Sequence, residues 1–279
     1  MNQNFKHKLI LFLGPEKTGS TSIYEFFSKS FSIKTSRKTK ELYFWDKYFF
    51  NGFDWYISKF NGPSNTNYID FSPTYFRSTE ACNRIISSEI EDLTTVITLR
   101  HPINRAYSHY LHLLKYGLED KSFIECLEDD NELKASSSYK EKLTEWSKVS
   151  KDSKKCFILI FEDIIGNTSF IKKFAMDALK LDPVGEKPIE LKKLNKASVP
   201  KYPKLARFSS QLSTSLRYIG LHEIVNIAKE LNLDSFTYSG NIVPRITEEE
   251  KDIASKILDA EIKIYKKLRQ QSVNGYTVI

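Results

Sequence analysis

An α/β fold is what this sequence predicts. It has three layers, a mostly parallel sheet with helices on both faces, and a P-loop-like phosphate-binding loop after the first strand. Three observations predict it. Leu9-Ile10-Leu11-Phe12-Leu13 is a short, wholly apolar run, as a strand buried on both faces requires. Gly14-Pro15-Glu16-Lys17-Thr18-Gly19 follows as a turn, and Ile23, Phe26, Phe27 and Phe31 then recur at helical spacing. Further on, β-branched runs such as Thr94–Leu99 alternate with helical periods.

The first strand is followed by the loop and by a helix to about Phe31, and Ile33–Thr35 reads as a second short strand. Thr39–Asp46 places the pair Lys40-Glu41 before an aromatic cluster. Phe49, Phe50, Phe53, Trp55, Tyr56 and Phe60 continue that cluster, as a helix packed on the domain. Gly62-Pro63-Ser64-Asn65 is a turn, Asn67–Phe71 a strand and Ser72-Pro73 its end. Ser78 starts a helix with Ala81, Ile85, Ile86 and Ile90 on one face. The strand Thr94–Leu99 ends in Arg100-His101-Pro102, and a helix from Pro102 carries Arg105, Ser108, His109 and His112.

Residues 120–150 are charged and read as two surface helices, with Glu132–Ser138 a polar loop between them. Cys156–Phe161 is a further buried strand, closed by Glu162-Asp163, and a helix spans about 165–180. Pro183–Pro203 is Lys/Pro-rich and irregular, and helices fit 203–218 and 220–231. Thr247 with Glu248, Glu249 and Glu250 caps a last helix to about Gln270. The whole reads as one domain over 1–279, with a core at about 8–165 and a helical part at about 203–271.

At 279 residues and 41% hydrophobic, the chain is long enough for a substantial core, and its net charge of +7 suits an anionic ligand. No motif supports nucleic-acid binding. Cys82, Cys126 and Cys156 are odd in number and far apart, which excludes a disulfide framework or a zinc knuckle and points to a reducing cytoplasm. No run approaches the ~20 apolar residues of a membrane span.

Strand, loop and helix N-terminus together form an anion pocket, because first-turn amides lack intrahelical partners and the helix dipole adds positive charge. Gly14 and Gly19 keep the spacing of a nucleotide-triphosphate loop, and Thr21 stands where that loop has Ser or Thr. The lysine after the second glycine is missing, because Ser20 stands there and Lys17 lies inside the loop. Thr18, Ser20, Thr21 and Ser22 can surround one phosphate. An ordinary strand–turn–helix with hydroxyl caps would carry the same letters. In a parallel sheet, ligands bind beyond the strands' C-terminal ends, the edge that collects Lys17, Lys40-Glu41, Ser72 and Arg100.

At these residues the chain resembles the sulfotransferases that use 3′-phosphoadenosine 5′-phosphosulfate (PAPS), and within them the carbohydrate, heparan-sulfate-type branch. Pro15–Thr21 resembles the loop for the 5′-phosphosulfate. Lys40–Asp46 is similar to a segment whose Glu is the catalytic base, and Asp70–Phe76 to a Glu-Lys-Ser/Thr-Pro-x-Tyr-Phe segment. Leu99–Tyr110 resembles the 3′-phosphate motif, an Arg with a Ser eight residues on, here Arg100 and Ser108. The match covers about the first 110 residues, and the C-terminal half follows in outline.

The resemblance implies that Lys17, Thr18, Gly19, Ser20, Thr21, Ser22, Arg100 and Ser108 hold the donor, with 3′-phosphoadenosine 5′-phosphate (PAP) as its product and no metal. It implies Glu41 as base and Lys17 as stabiliser of the leaving group, while Lys40 and Ser72 are the expected acceptor contacts. The acceptor it implies is a glycan, a glycolipid or a small molecule.

Two departures stand out. Phe71 replaces the branch's Lys, a loss Lys40 could offset. The Lys-Gly-Arg segment before the final helix is absent, with Tyr238-Ser239-Gly240-Asn241 near its place and Arg245 the nearest basic residue. Three alternatives stay open at this level. Phe157–Phe161 followed by Glu162-Asp163 also suits a P-loop kinase or NTPase. The chain could be a non-catalytic nucleotide- or polyanion-binding module. His101, His109 or Asp70 could serve as base. His109 and His112 read as a helix-surface pair rather than a metal site.

Overall fold

The structure is a computed structural model that describes residues 5, 7–36, 39–63, 65–129, 132–150, 154–185, 200, 202–218, 243–272 and 276–279. The chain divides into two compact units, one of Met1–Pro102, Ser136–Leu194 and Asp259–Ile279, the other of Ile103–Ala135 and Asn195–Leu258.

The first unit is built on seven strands: β1 (Leu9–Gly14), β2 (Ile33–Ser36), β3 (Phe60–Asn61), β4 (Asn67–Phe71), β5 (Leu93–Leu99), β6 (Lys155–Ile160) and β7 (Tyr276–Val278). They run in the order β3-β2-β4-β1-β5-β6-β7. The five central strands are parallel and the two edge strands antiparallel. The α/β reading therefore holds. The two edge strands, of two and three residues, are too short to leave a periodic signal.

Alternation along β1 divides the core. Leu9, Leu11 and Leu13 face one side, Ile10 and Phe12 the other. On the second side, Ile23, Phe26 and Phe27 of α1 (Ser20–Ser30) pack with Ile171 and Phe174 of α9 (Thr168–Asp177). On the first side lie α2 (Phe53–Ser58), α3 (Thr79–Ile86), α7 (Tyr139–Trp146) and α12 (Asp259–Gln271). Phe71 belongs to the second side, stacked on Phe12 at 4.6 Å, so it is a core residue.

Some expected elements differ. The aromatic stretch is not one helix. A π turn at Phe44–Tyr48 and a 3-10 turn at Phe49–Asn51 precede α2, and Gly52 at φ 82 breaks the run between them. The supposed surface helices are α5 (Phe123–Glu128) and α7, with α6 (Glu132–Ala135) inside the expected loop. Tyr139 and Trp146 are wholly buried, and Trp146 Nε1 donates to the Phe76 carbonyl at 2.9 Å. Charge density hid these few large anchors. The 165–180 helix begins later, because Gly166 at φ 77 separates α8 (Phe161–Ile164) from α9. The last helix is two, α11 (Glu248–Ile257) and α12, parted at Leu258. Its capping box of Thr247 and Glu250 is formed. The helix expected over 220–231 lies outside the described residues.

The second unit holds Ile103–Lys115 of α4 (Pro102–Lys115), α5, α6, α10 (Pro203–Tyr218) and α11. Arg105 is fully buried there and donates to the Leu133 carbonyl. His109 is buried too, its Nδ1 3.4 Å from Arg105, which corrects the surface-pair reading. Among the described residues no helix is long and apolar enough to cross a membrane.

Gly14 has φ +96, and a Cβ there would lie 2.5 Å from the Pro73 carbonyl oxygen. Gly14→Ala is expected to lower stability by about 2 kcal/mol. A fall in the urea midpoint with unchanged slope checks this.

Candidate active site at the strand ends

The chain leaves β1 towards β2 on one side, and β5 towards β6 on the other. The loops after these neighbouring strands therefore face a crevice, the usual ligand position in such sheets. Gly14–Gly19 and Arg100 stand at its rim.

The loop is shaped by its own contacts. Thr18 is fully buried and its Oγ1 donates to the Pro15 carbonyl at 2.7 Å. Lys17 and Gly19 take φ of 69 and 87. A Cβ on Gly19 would lie 2.6 Å from the Phe161 ring, so glycine is required for that packing as well as for the backbone. Glu16 forms an ion pair with Arg77, Nε to Oε1 at 3.2 Å, and accepts from Ser136 Oγ at 3.1 Å. Helix α1 starts directly after Gly19 with no side-chain cap and no acidic residue in its first turn. Its first amides have no intrahelical acceptors by geometry, so they and the dipole favour an anion.

Arg100 is tied to this loop. Its Nη1 donates to the Lys17 carbonyl at 3.1 Å, and its guanidinium lies 5.0 Å over the same Phe161 ring. Burial pushes its pKa down, with Glu162 opposing, yet an arginine this basic stays charged. Glu162 also accepts from the His101 N–H at 3.0 Å and the Tyr265 hydroxyl at 2.8 Å, and Asp163 pairs with Arg269. Ser108 is half-buried on α4 in the second unit.

Lys40 joins loop and carboxylate. Its Nζ lies 3.0 Å from Ser20 Oγ, 3.4 Å from Thr21 Oγ1 and 2.9 Å from Glu41 Oε1. The Tyr43 hydroxyl donates to Glu41 Oε2. The side chains of Lys40 and Glu41 are 19% and 24% exposed, so both remain open to a ligand.

Behind Glu41 is a buried polar hub. The Asp70 carboxylate accepts from Ser72 Oγ at 2.7 Å, Tyr75 OH at 2.8 Å and Tyr56 OH at 3.0 Å. Ser72 Oγ accepts from the Leu42 and Tyr43 N–H groups at 3.1 and 3.3 Å. Tyr75 OH accepts from Phe44 and Trp45 at 2.8 and 3.4 Å. Burial pushes the Asp70 carboxyl up to about 6, and its three donors hold it lower than burial alone would.

The structure thus gathers Lys17, Ser20, Thr21, Lys40, Glu41 and Arg100 at one rim. Ser72 is fully buried with its hydroxyl already engaged, and Asp70 is 1% exposed, so neither opens onto the crevice. Sequence reasoning did not find Phe161, Tyr43 or Tyr75. The aromatic letters around them read as core filler, and only the Tyr75 position inside Asp70–Phe76 carried a signal.

No protein-family model matches the chain. Among curated proteins it is 33% identical over 111 residues to bifunctional heparan sulfate N-deacetylase/N-sulfotransferase 1 of Homo sapiens, covering 37% of this chain and 12% of that protein. It is 37% identical over 112 residues to bifunctional heparan sulfate N-deacetylase/N-sulfotransferase 3 of Homo sapiens, with the same shares of 37% and 12%. The match therefore spans about an eighth of those relatives' length. Among solved structures, a sulfotransferase from Alicyclobacillus acidocaldarius superposes with a TM-score of 0.51 at 18% identity, covering 79% of this chain and 96% of that one. The chain is thus a homologue, over that matched stretch, of the heparan sulfate N-deacetylase/N-sulfotransferases, and its fold is that of a bacterial sulfotransferase.

Proposed function

We propose that this chain is a sulfotransferase working as one domain, which moves a sulfuryl group from PAPS to a hydroxyl or amine and releases PAP. One observation carries the reading. A single ammonium, that of Lys40, links the hydroxyls at the start of α1 to the carboxylate of Glu41. Phosphate loop and candidate base are thereby brought to one point, as transfer from a phosphate-anchored donor to a nearby acceptor requires.

The residues fit such a donor by their chemistry. Lys17, Lys40 and Arg100 supply three cations, and Ser20 and Thr21 supply hydroxyls beside uncapped helix amides. Arg100 holds the 3′-phosphate, a task suited to a planar fork of donors. Glu41 takes the proton from the acceptor as the acceptor attacks sulfur. Lys17 offsets the negative charge that collects on the departing oxygen. With Phe71 in the core, Lys40 is the cation that stands in for the missing lysine of the resembled segment.

The relatives' names supply the acceptor class. They act on heparan sulfate and transfer to nitrogen, so an amine or hydroxyl of a glycan or glycolipid is the proposed acceptor, met in the cytoplasm. The kinase reading is less well supported. Glu162 and Asp163, its metal-binding candidates, are engaged by His101, Tyr265 and Arg269.

Transfer of radiolabelled sulfuryl from PAPS to a panel of amino- and hydroxyl-bearing oligosaccharides tests the reading. Label on at least one acceptor, with none from labelled ATP, is the expected result. Phosphate transfer from ATP alone would overturn it.

A further inference from the structure

We propose that Asp70 is a positioning residue for the base, acting through a directed chain of hydrogen bonds that runs from its carboxylate through Ser72 and Tyr75 to the backbone carrying Glu41. The inference rests on the reading of Glu41 as the base of sulfuryl transfer.

A hydroxyl has one proton to give. Ser72 gives its proton to Asp70 Oδ1 and Tyr75 gives its own to Asp70 Oδ2. Their oxygens are then left as acceptors, and four successive amides, Leu42 to Trp45, donate to them. An ionised carboxylate accepts only, so it fixes the direction of both arms. A neutral group with N–H or O–H donors in its place would turn one hydroxyl round and set donor against donor at the 42–45 backbone. Those amides directly follow Glu41, and Tyr43 among them also donates to the Glu41 carboxylate from its ring. The segment needs such holding, because Tyr43 takes φ 50 and a π turn follows it.

The charged hub is not what stability alone would select. The groups facing Asp70 are Ser72, Tyr56, Tyr75 and, at longer range, Asp46, and none is a cation. Burial pushes the carboxyl up from 3.8 to about 6. A raised acid pKa means the folded chain binds the proton more tightly than the unfolded chain. The associated stability is therefore full below 3.8 and lost as pH rises through about 6. At neutral pH the ionised form persists at a cost to the fold, as groups kept for function do.

The two tyrosines provide the test. Tyr56 and Tyr75 are both fully buried and both donate to the same Asp70 oxygen, but Tyr56 meets 42–45 through the Trp45 side chain, whereas Tyr75 accepts from the Phe44 and Trp45 backbone amides. If the hub only stabilises the fold, Tyr56→Phe and Tyr75→Phe should match in melting temperature and in activity. If it positions Glu41, Tyr75→Phe lowers kcat by roughly tenfold or more, while Tyr56→Phe keeps the wild-type kcat. Both variants should bind PAP within twofold of wild type by calorimetry.

Asp70→Asn gives a second readout at pH 8, a kcat loss that persists at temperatures well below the melting temperature of the variant. Equal kcat values for the two tyrosine variants, or an Asp70→Asn loss that tracks melting, would overturn the proposal. Glu41→Gln, run alongside, separates the two failures. If it stays active, the assignment of the base falls. If it is inactive while the tyrosine variants match each other, only the positioning chain falls.

Discussion

Glu41→Gln is expected to lower the rate of sulfuryl transfer about 10²- to 10⁴-fold and to leave PAP affinity nearly unchanged. The substitution keeps the shape of the side chain and its contact with the Tyr43 hydroxyl, but a carboxamide cannot take a proton from the acceptor. The other base candidates are poorly placed to rescue it. Asp70 is 1% exposed and accepts three hydrogen bonds, and His109 is buried with its Nδ1 beside Arg105. His101 packs its ring edge-on to Tyr265 with centroids 5.5 Å apart, and burial pushes its pKa down. Single-turnover transfer from labelled PAPS measures the loss directly. A rate within threefold of wild type would remove Glu41 from the mechanism.

Arg100→Ala weakens PAP binding by about 10- to 100-fold, the scale of one or two charge-assisted hydrogen bonds. Two effects combine. In the proposed function the guanidinium supplies the charge for the 3′-phosphate, and in the structure it holds the Lys17 carbonyl at 3.1 Å and covers Phe161. Arg100→Lys keeps the charge and loses the fork, so it should fall between wild type and alanine. Adenosine 5′-monophosphate lacks the 3′-phosphate and separates the two effects. Calorimetry should show its affinity changing far less than that of PAP. Equal losses for both ligands would mean that Arg100 serves the loop alone.

The sheet was legible because its central strands are short apolar runs buried on both faces. Asn67–Phe71 forms the strand that the following Ser-Pro is read to end. The loop after β1 was legible because Gly14 and Gly19 are demanded by backbone conformation and by close contact, and such demands leave letters in the sequence. Lys40-Glu41 could be named but not placed, since nothing local shows that Lys40 Nζ meets Ser20 and Thr21 some twenty residues earlier in the chain.

Ser72 illustrates the opposite difficulty. A hydroxyl beside a proline at a strand end looks like a ligand contact, whereas the fold buries it between Asp70 and the Leu42 and Tyr43 amides. Tyr75 was hidden for a related reason. In a chain that is 13% aromatic, a tyrosine whose hydroxyl matters reads the same as one whose ring fills space. Phe161 reads as the end of a strand, and its role as a platform under Gly19 and Arg100 exists only in three dimensions.

The most direct test of the central claim is a calorimetric titration of the wild-type chain with PAP, set beside ATP with and without magnesium. PAP binding that is independent of magnesium, with ATP weaker in both conditions, is the predicted result. Binding of ATP alone, and only with magnesium, would contradict the account and make the loop that of a kinase or NTPase.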